Sequence, residues 1–165
     1  MKIRIPIFIW LVLGVISMSI FLLSAQTAPQ STELSTGVLE HLLQKTMPAY
    51  DTLPEGEQQQ LVLSYHHIAR KYAHFIIYSV WGVVLSALMY IYGLRRWRFV
   101  TAVLIIGFIF AGSDELHQWF VPGRGAQWSD VGLDVFGVIT GMFLFLVAKE
   151  VKYRQRIRKE NTINL

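Results

Sequence analysis

The sequence predicts an all-α fold: a polytopic bundle of four transmembrane helices, both termini in the cytoplasm, with a short amphipathic helix in the outer loop. Three observations predict it. The 165 residues are 53% hydrophobic and 16% charged, with a mean hydropathy of +0.42, whereas about a quarter of an ordinary globular sequence is charged. The apolar residues fall in four blocks, at 3–23, 72–94, 99–118 and 131–148, and each approaches or exceeds the roughly 18–20 residues that carry a helix across ~30 Å of hydrocarbon. Eleven of the fifteen lysines and arginines flank one end of these blocks, the bias that marks the cytoplasmic side. Residues 1–165 thus form one membrane domain.

Span one follows Lys2 and Arg4, and its apolar core runs to Leu23. That core is longer than the apolar region of a cleaved signal peptide, and no A-x-A site follows Ser24-Ala25, so an uncleaved helix is expected. The chain from Ser24 to His67 is the long outer connection. Within it, Val38, Leu39, Leu42 and Leu43 recur at helical spacing after Gly37. They predict a short amphipathic helix, lying on the outer surface or packed over the mouth of the bundle. Pro48, Pro54 and Gly56 interrupt the chain, and residues 58–69 are expected to run into span two without a break.

Arg95, Arg96 and Arg98 mark a tight cytoplasmic turn that makes spans two and three antiparallel neighbours. Trp119 and Trp128 flank the outer loop between spans three and four, at the depth tryptophan prefers. Gly107 and Ala111 on span three, and Gly137 and Gly141 on span four, form small-residue faces that let helices approach closely. Six basic residues from Lys149 to Lys159 follow span four. The net charge of +4 is explained by these topology signals and implies no nucleic acid. The expected partners are membrane lipids. There is no cysteine, hence no disulfide framework.

Against this apolar background the segment from Ser113 to Asp134 carries Asp114, Glu115, His117, Arg124, Asp130 and Asp134. Ionisable groups inside a membrane are costly and usually paired or functional. Helix rise places Asp114 about 22 Å beyond Phe99, roughly 8 Å below the outer edge. Asp134 lies about 6 Å past Asp130, and His74 a similar distance past Lys71. Three spans therefore bring ionisable groups to one layer.

Helical spacing allows an inward ring of His74, Tyr78, Asp114, His117, Gln118 and Asp134, with Arg70, Lys71 and Arg124 pairing with the acids at its rim. Glu115 points elsewhere, beside Trp119. The ligand-binding candidates are thus Arg70, Lys71, His74, Tyr78, Asp114, Glu115, His117, Gln118, Arg124, Asp130 and Asp134. For acid–base catalysis the candidates are His117, Glu115, Asp114 and His74. No H-E-x-x-H or comparable spacing is present, so no cofactor is expected. His74, Asp114 and His117 are the residues for a divalent ion should one bind. Val121-Pro122-Gly123-Arg124-Gly125 reads as a turn that presents a guanidinium suited to phosphate or carboxylate. Asp114-Glu115-Leu116-His117 looks like a helicase box, but no phosphate-binding loop accompanies it.

Arg70-Lys71-x-Ala73-His74-Phe75-x-x-Tyr78, then Asp114-Glu115-x-His117-Gln118-x-Phe120-x-Pro122-Gly123-Arg124, then Asp130 and Asp134, resemble the VanZ-like family. Ser24-x-Gln26, with Ser31 and Ser35 following, is similar to that family's exit from span one. Two departures are Asp134, where many members have asparagine, and Ala25, where serine is common. The resemblance implies a small bacterial integral membrane protein of the cell envelope. The founding member is associated with resistance to the lipid-tailed glycopeptide teicoplanin. The resemblance supplies no reaction.

Three functions follow as expectations. An outer-facing polar site engages a lipid-linked or amphiphilic ligand, a lipoglycopeptide among them, in a protein that is non-enzymatic or whose activity is not yet assigned. Alternatively, a membrane-embedded enzyme acts on a lipid-linked envelope precursor. In the third, the polar layer serves only the assembly of a structural or accessory subunit.

Overall fold

The computed structural model describes residues 7–163. Lys2, Arg4 and the first residues of the predicted span 3–23 lie outside them. Among the described residues the chain forms five α-helices and one 3₁₀ turn: α1 Ile7–Ser24, α2 Ala28–Thr46, the turn Tyr50–Thr52, α3 Glu55–Ile91, α4 Arg96–Trp119 and α5 Trp128–Ile163. Helices α1, α3, α4 and α5 are long and apolar enough to cross a membrane. Their surfaces agree: Phe8, Val15, Ile109 and Phe143 are each more than 60% exposed, an arrangement suited to lipid. The chain is a helical membrane protein.

Helix α3 has 37 residues and α5 has 36. At 1.5 Å per residue each is about 54 Å long, well beyond ~30 Å of hydrocarbon. Residues 58–69 continue into α3 as the pattern predicted. The fourth apolar block ends at 148, but its helix runs on to Ile163. Good helix formers and the i,i+4 pairs Glu150–Arg154 and Arg156–Glu160 sustain it there.

The helix between α1 and α3 is longer than the pattern at 37–45 suggested. It starts at Ala28 because Thr27 opens it: Gln30 Oε1 accepts the Thr27 backbone N–H at 3.0 Å, and Pro29 occupies the first turn. Starting nine residues earlier brings Ser31, Leu34 and Ser35 onto α2, which packs against α3. The connection from α3 to α4 turns at Gly93, whose φ of 85° suits a residue without Cβ. Arg96 to Arg98 lie in the first turn of α4.

The core runs along the shared axis of α1, α3, α4 and α5, through Ile20, Tyr78, Trp81, Leu85, Val103 and Val138. Trp81 stacks on Phe110 with centroids 4.6 Å apart, and its Nε1 donates to Ser17 Oγ at 2.9 Å. The glycine faces work as expected. Gly137 lies against Phe75 and Tyr78, Gly141 against Ser79 and Val83, and Gly107 against Val138. Close approach of α3 and α5 sets the spacing of the polar groups at the end of the bundle where α2 lies.

Candidate functional site

Each of the four long helices contributes to one polar layer near α2. His74 comes from α3, four residues before Tyr78 on the same face. Asp114 and Gln118, one turn apart, come from α4. Asp134 comes from α5, one turn after Asp130, and Ser24 ends α1. Donor atoms of His74, Asp114 and Asp134 all lie within 4.8 Å of one another. The common depth inferred from helix rise is therefore a common place.

The layer is nearly sealed. Asp114 is 0% exposed, Asp134 1%, Tyr78 0% and Ser24 0%. Ser24 Oγ donates to Asp114 Oδ2 at 2.9 Å, with Gln118 Nε2 farther off at 3.4 Å from the same oxygen. His74 Nδ1 lies 3.5 Å from Asp134 Oδ1. Among the described residues, Asp114 Oδ1, both oxygens of Asp134 and the Tyr78 hydroxyl have no hydrogen-bond partner.

The basic residues of the predicted rim take three different positions. Lys71 Nζ bonds Asp130 Oδ1 at 2.8 Å, the expected kind of pair. Arg124 differs: its Nη1 donates to the Ser24 carbonyl at 3.2 Å and to Gln118 Oε1 at 3.3 Å, and to no carboxylate among the described residues. The turn holding it is tied down at Gly123, whose φ is 78° and which rests against Ala28. Burial, then the nearby Arg70, pushes the Arg124 guanidinium down from its ordinary value. Arg70 forms no ion pair among the described residues and reaches the same cavity as Arg124.

Two candidates stand apart. His117 is half-buried against the Phe21 ring, centroids 5.6 Å apart, outside the His74–Asp114–Asp134 group. Helix geometry explains the split: relative to Asp114, Gln118 is rotated about 40° one way and His117 about 60° the other. Glu115 is 4% exposed and lies on another side of α4. Its Oε1 accepts the backbone N–H of Gln127, just before α5 begins at Trp128. A carboxylate suits that helix N-terminus, so Glu115 fastens the loop to α5. Glu115→Ala should cost about 1–3 kcal/mol by orphaning a partly buried amide, whereas Glu115→Gln keeps an acceptor and most of the stability. Thermal unfolding in detergent, with amide exchange followed at Gln127, measures both; equal stability of the two variants would count against this role.

Beside the polar layer a cavity of about 230 Å³ opens between α1, α2 and α3. Ile20, Leu34, Val38, Ala73 and Ile77 form apolar walls, and Arg70, His74 and Arg124 meet it from the polar side. The pattern at 37–45 missed the part of α2 that builds this wall. Ser24 was also no site candidate on residue type alone, because its importance comes from ending α1 opposite Asp114. The available signal was Ser24-x-Gln26 at the exit from an apolar run.

A protein-family model described as VanZ/LLP1 matches residues 8–149, which include every helix-borne group of this layer and the cavity. No curated protein and no solved structure matches the chain significantly.

Proposed function

Because the chain belongs to the VanZ/LLP1 family, we propose that it is a multi-pass protein of the bacterial cell membrane whose outward-facing polar site engages an anionic lipid-linked or amphiphilic ligand. The observation that carries this reading is the cavity with two kinds of wall. Ile20, Leu34, Ala73 and Ile77 suit an acyl chain, while Arg70 and Arg124 converge at its polar side without carboxylate partners among the described residues. Guanidinium groups recognise phosphate and carboxylate through paired N–H donors. The basic residues beyond the far end of the bundle (Arg95 to Arg98 and Lys149 to Lys159) orient the site outward. A lipid-tailed glycopeptide such as teicoplanin, or the lipid-linked precursor it attacks, has this divided chemistry, which links the reading to glycopeptide resistance.

The test uses purified protein in nanodiscs with phosphatidylglycerol against phosphatidylcholine as probes. Selective retention of the anionic lipid is expected. Charge-assisted hydrogen bonds contribute about 1.5–3 kcal/mol each, so Arg70→Ala with Arg124→Ala should weaken retention at least about tenfold, with teicoplanin susceptibility restored in expressing cells. Undiminished, unselective lipid binding in that double variant would overturn the reading.

One observation favours an enzyme as the second reading. Two enclosed carboxylates, an imidazole and a phenol converge beside the cavity, a set capable of proton transfer. Turnover of a lipid-linked precursor, abolished in Asp114→Asn, separates it from ligand binding alone.

A further inference from the structure

We propose that His74, Asp114 and Asp134 bind a divalent transition-metal ion, zinc in preference to manganese. The site joins α3, α4 and α5 through one residue from each. It is a mixed nitrogen and oxygen donor set rather than a patch of acids, and it lies inside the bundle.

Geometry is the first argument. The 3.5 Å between His74 Nδ1 and Asp134 Oδ1 is long for a charge-assisted hydrogen bond, which is about 2.7–2.9 Å. It matches the separation of two ligands on one tetrahedral zinc, about 3.4 Å for bonds near 2.1 Å. The third donor, from Asp114, lies within 4.8 Å of both, a gap that small side-chain rotations close.

The second argument is unmet bonding. Among the described residues, Asp134, 1% exposed, has both oxygens without hydrogen-bond partners, and Asp114, 0% exposed, has Oδ1 free. Ser24 holds the other Asp114 oxygen at 2.9 Å. Such an outer hydrogen bond is how proteins aim a ligating carboxylate. Tyr78 stacks beside His74 with centroids 6.3 Å apart, fully buried, and its hydroxyl is also free.

The third argument is charge. Lys71 is committed to Asp130, and Arg124 bonds the Ser24 carbonyl and Gln118 rather than either aspartate. Two enclosed carboxylates therefore face one imidazole, and burying a charge without a partner is expensive. A divalent cation with neutral His74 makes the group neutral. One imidazole nitrogen favours zinc or manganese over the all-oxygen calcium and magnesium shells, and zinc stands above manganese in affinity. Three protein ligands leave a coordination position free, as in catalytic zinc sites. Since His74 also lines the cavity, that position is placed to receive an anionic headgroup. His117, named with His74 and Asp114 from the sequence, is replaced in the group by Asp134.

Metal content of the full-length protein in nanodiscs tests this without any organic ligand. After loading with zinc and dialysis, one ion per chain is expected, with manganese held more weakly and calcium not at all. His74→Ala and Asp134→Ala should each lower zinc affinity about a hundredfold, and Ser24→Ala about tenfold. The adjacent pair His66–His67, ring centroids 4.0 Å apart, is the competing source of zinc ligands, and His66→Ala with His67→Ala should leave affinity unchanged. Where a variant fails to fold, X-ray absorption on the zinc-loaded wild type decides: one imidazole with oxygen neighbours supports the site. No retained ion, a shell with two imidazoles, or loss of zinc in the His66/His67 variant overturns it.

Discussion

Gly141→Val should leave little folded protein, and Gly141→Ala should already be severely destabilised. A Cβ at 141 falls 2.1 Å from the Ser79 carbonyl oxygen, 2.8 Å from the Val83 nitrogen and 3.0 Å from the Gly82 carbonyl carbon. All three atoms are backbone, so no rotamer change relieves the clash and α3 must move away from α5. Overpacking typically costs about 1–3 kcal/mol and occasionally more. In a membrane little hydrophobic force draws helices together, and association rests on close packing. The alanine variant should therefore lie at or above about 3 kcal/mol, the top of that range.

The other glycines grade the effect. At Gly107 the obstacle is the Val138 side chain, at 2.8 Å, which can shift, so Gly107→Ala should cost about 1 kcal/mol. Among the described residues a Cβ at Gly132 meets nothing within 4 Å, and Gly132→Ala should gain up to about 1 kcal/mol through helix propensity. Unfolding of the three variants in mixed detergent gives the series. Wild-type stability of Gly141→Ala would show that α3 and α5 do not approach this closely. The consequence reaches the polar layer, because the same two helices carry His74 and Asp134.

The pairing of Gly137 and Gly141 with α3 explains why so much of the site was legible in the sequence. Apolar block length sets each helix, and a regular rise then fixes the depth of every charge along it. His74, Asp114 and Asp134 could be assigned to one layer by arithmetic, and they meet there. Rotation about the helix axis is harder to read. Asp114, His117 and Gln118 share a broad face, but the neighbour of each depends on which helix packs on which flank. His117 consequently meets Phe21 of α1 rather than the acids. The fate of Arg124 was hidden for another reason: its partners are a backbone carbonyl at the end of α1 and an amide, and neither advertises itself as a partner for a cation. The start of α2 was written in Thr27-x-x-Gln30, a signal separate from the apolar spacing that begins ten residues later.

The cavity gives the second large effect. Ala69, Ala73 and Ile77 recur at four-residue spacing along one face of α3, and all three line it. Small side chains at 69 and 73 are what keep that wall low, while Arg70 and His74 stand one residue further on at the polar side. Ala73→Phe should fill a large part of the 230 Å³ while every charged residue of the lining is kept. Lipid tails are as apolar as the wall, so an acyl chain gains from shape and dispersion in the cavity rather than from leaving water. About fifteen contacts at 0.1–0.2 kcal/mol each amount to about 2 kcal/mol, or roughly a thirtyfold loss of affinity. The loss should fall on long-chain phosphatidylglycerol and spare a short-chain analogue, since the guanidinium groups remain in place. Arg124→Ala should weaken both equally. The two variants thus separate tail from headgroup, and a short-chain analogue excluded as strongly as the long one by Ala73→Phe would show that the cavity does not hold the tail.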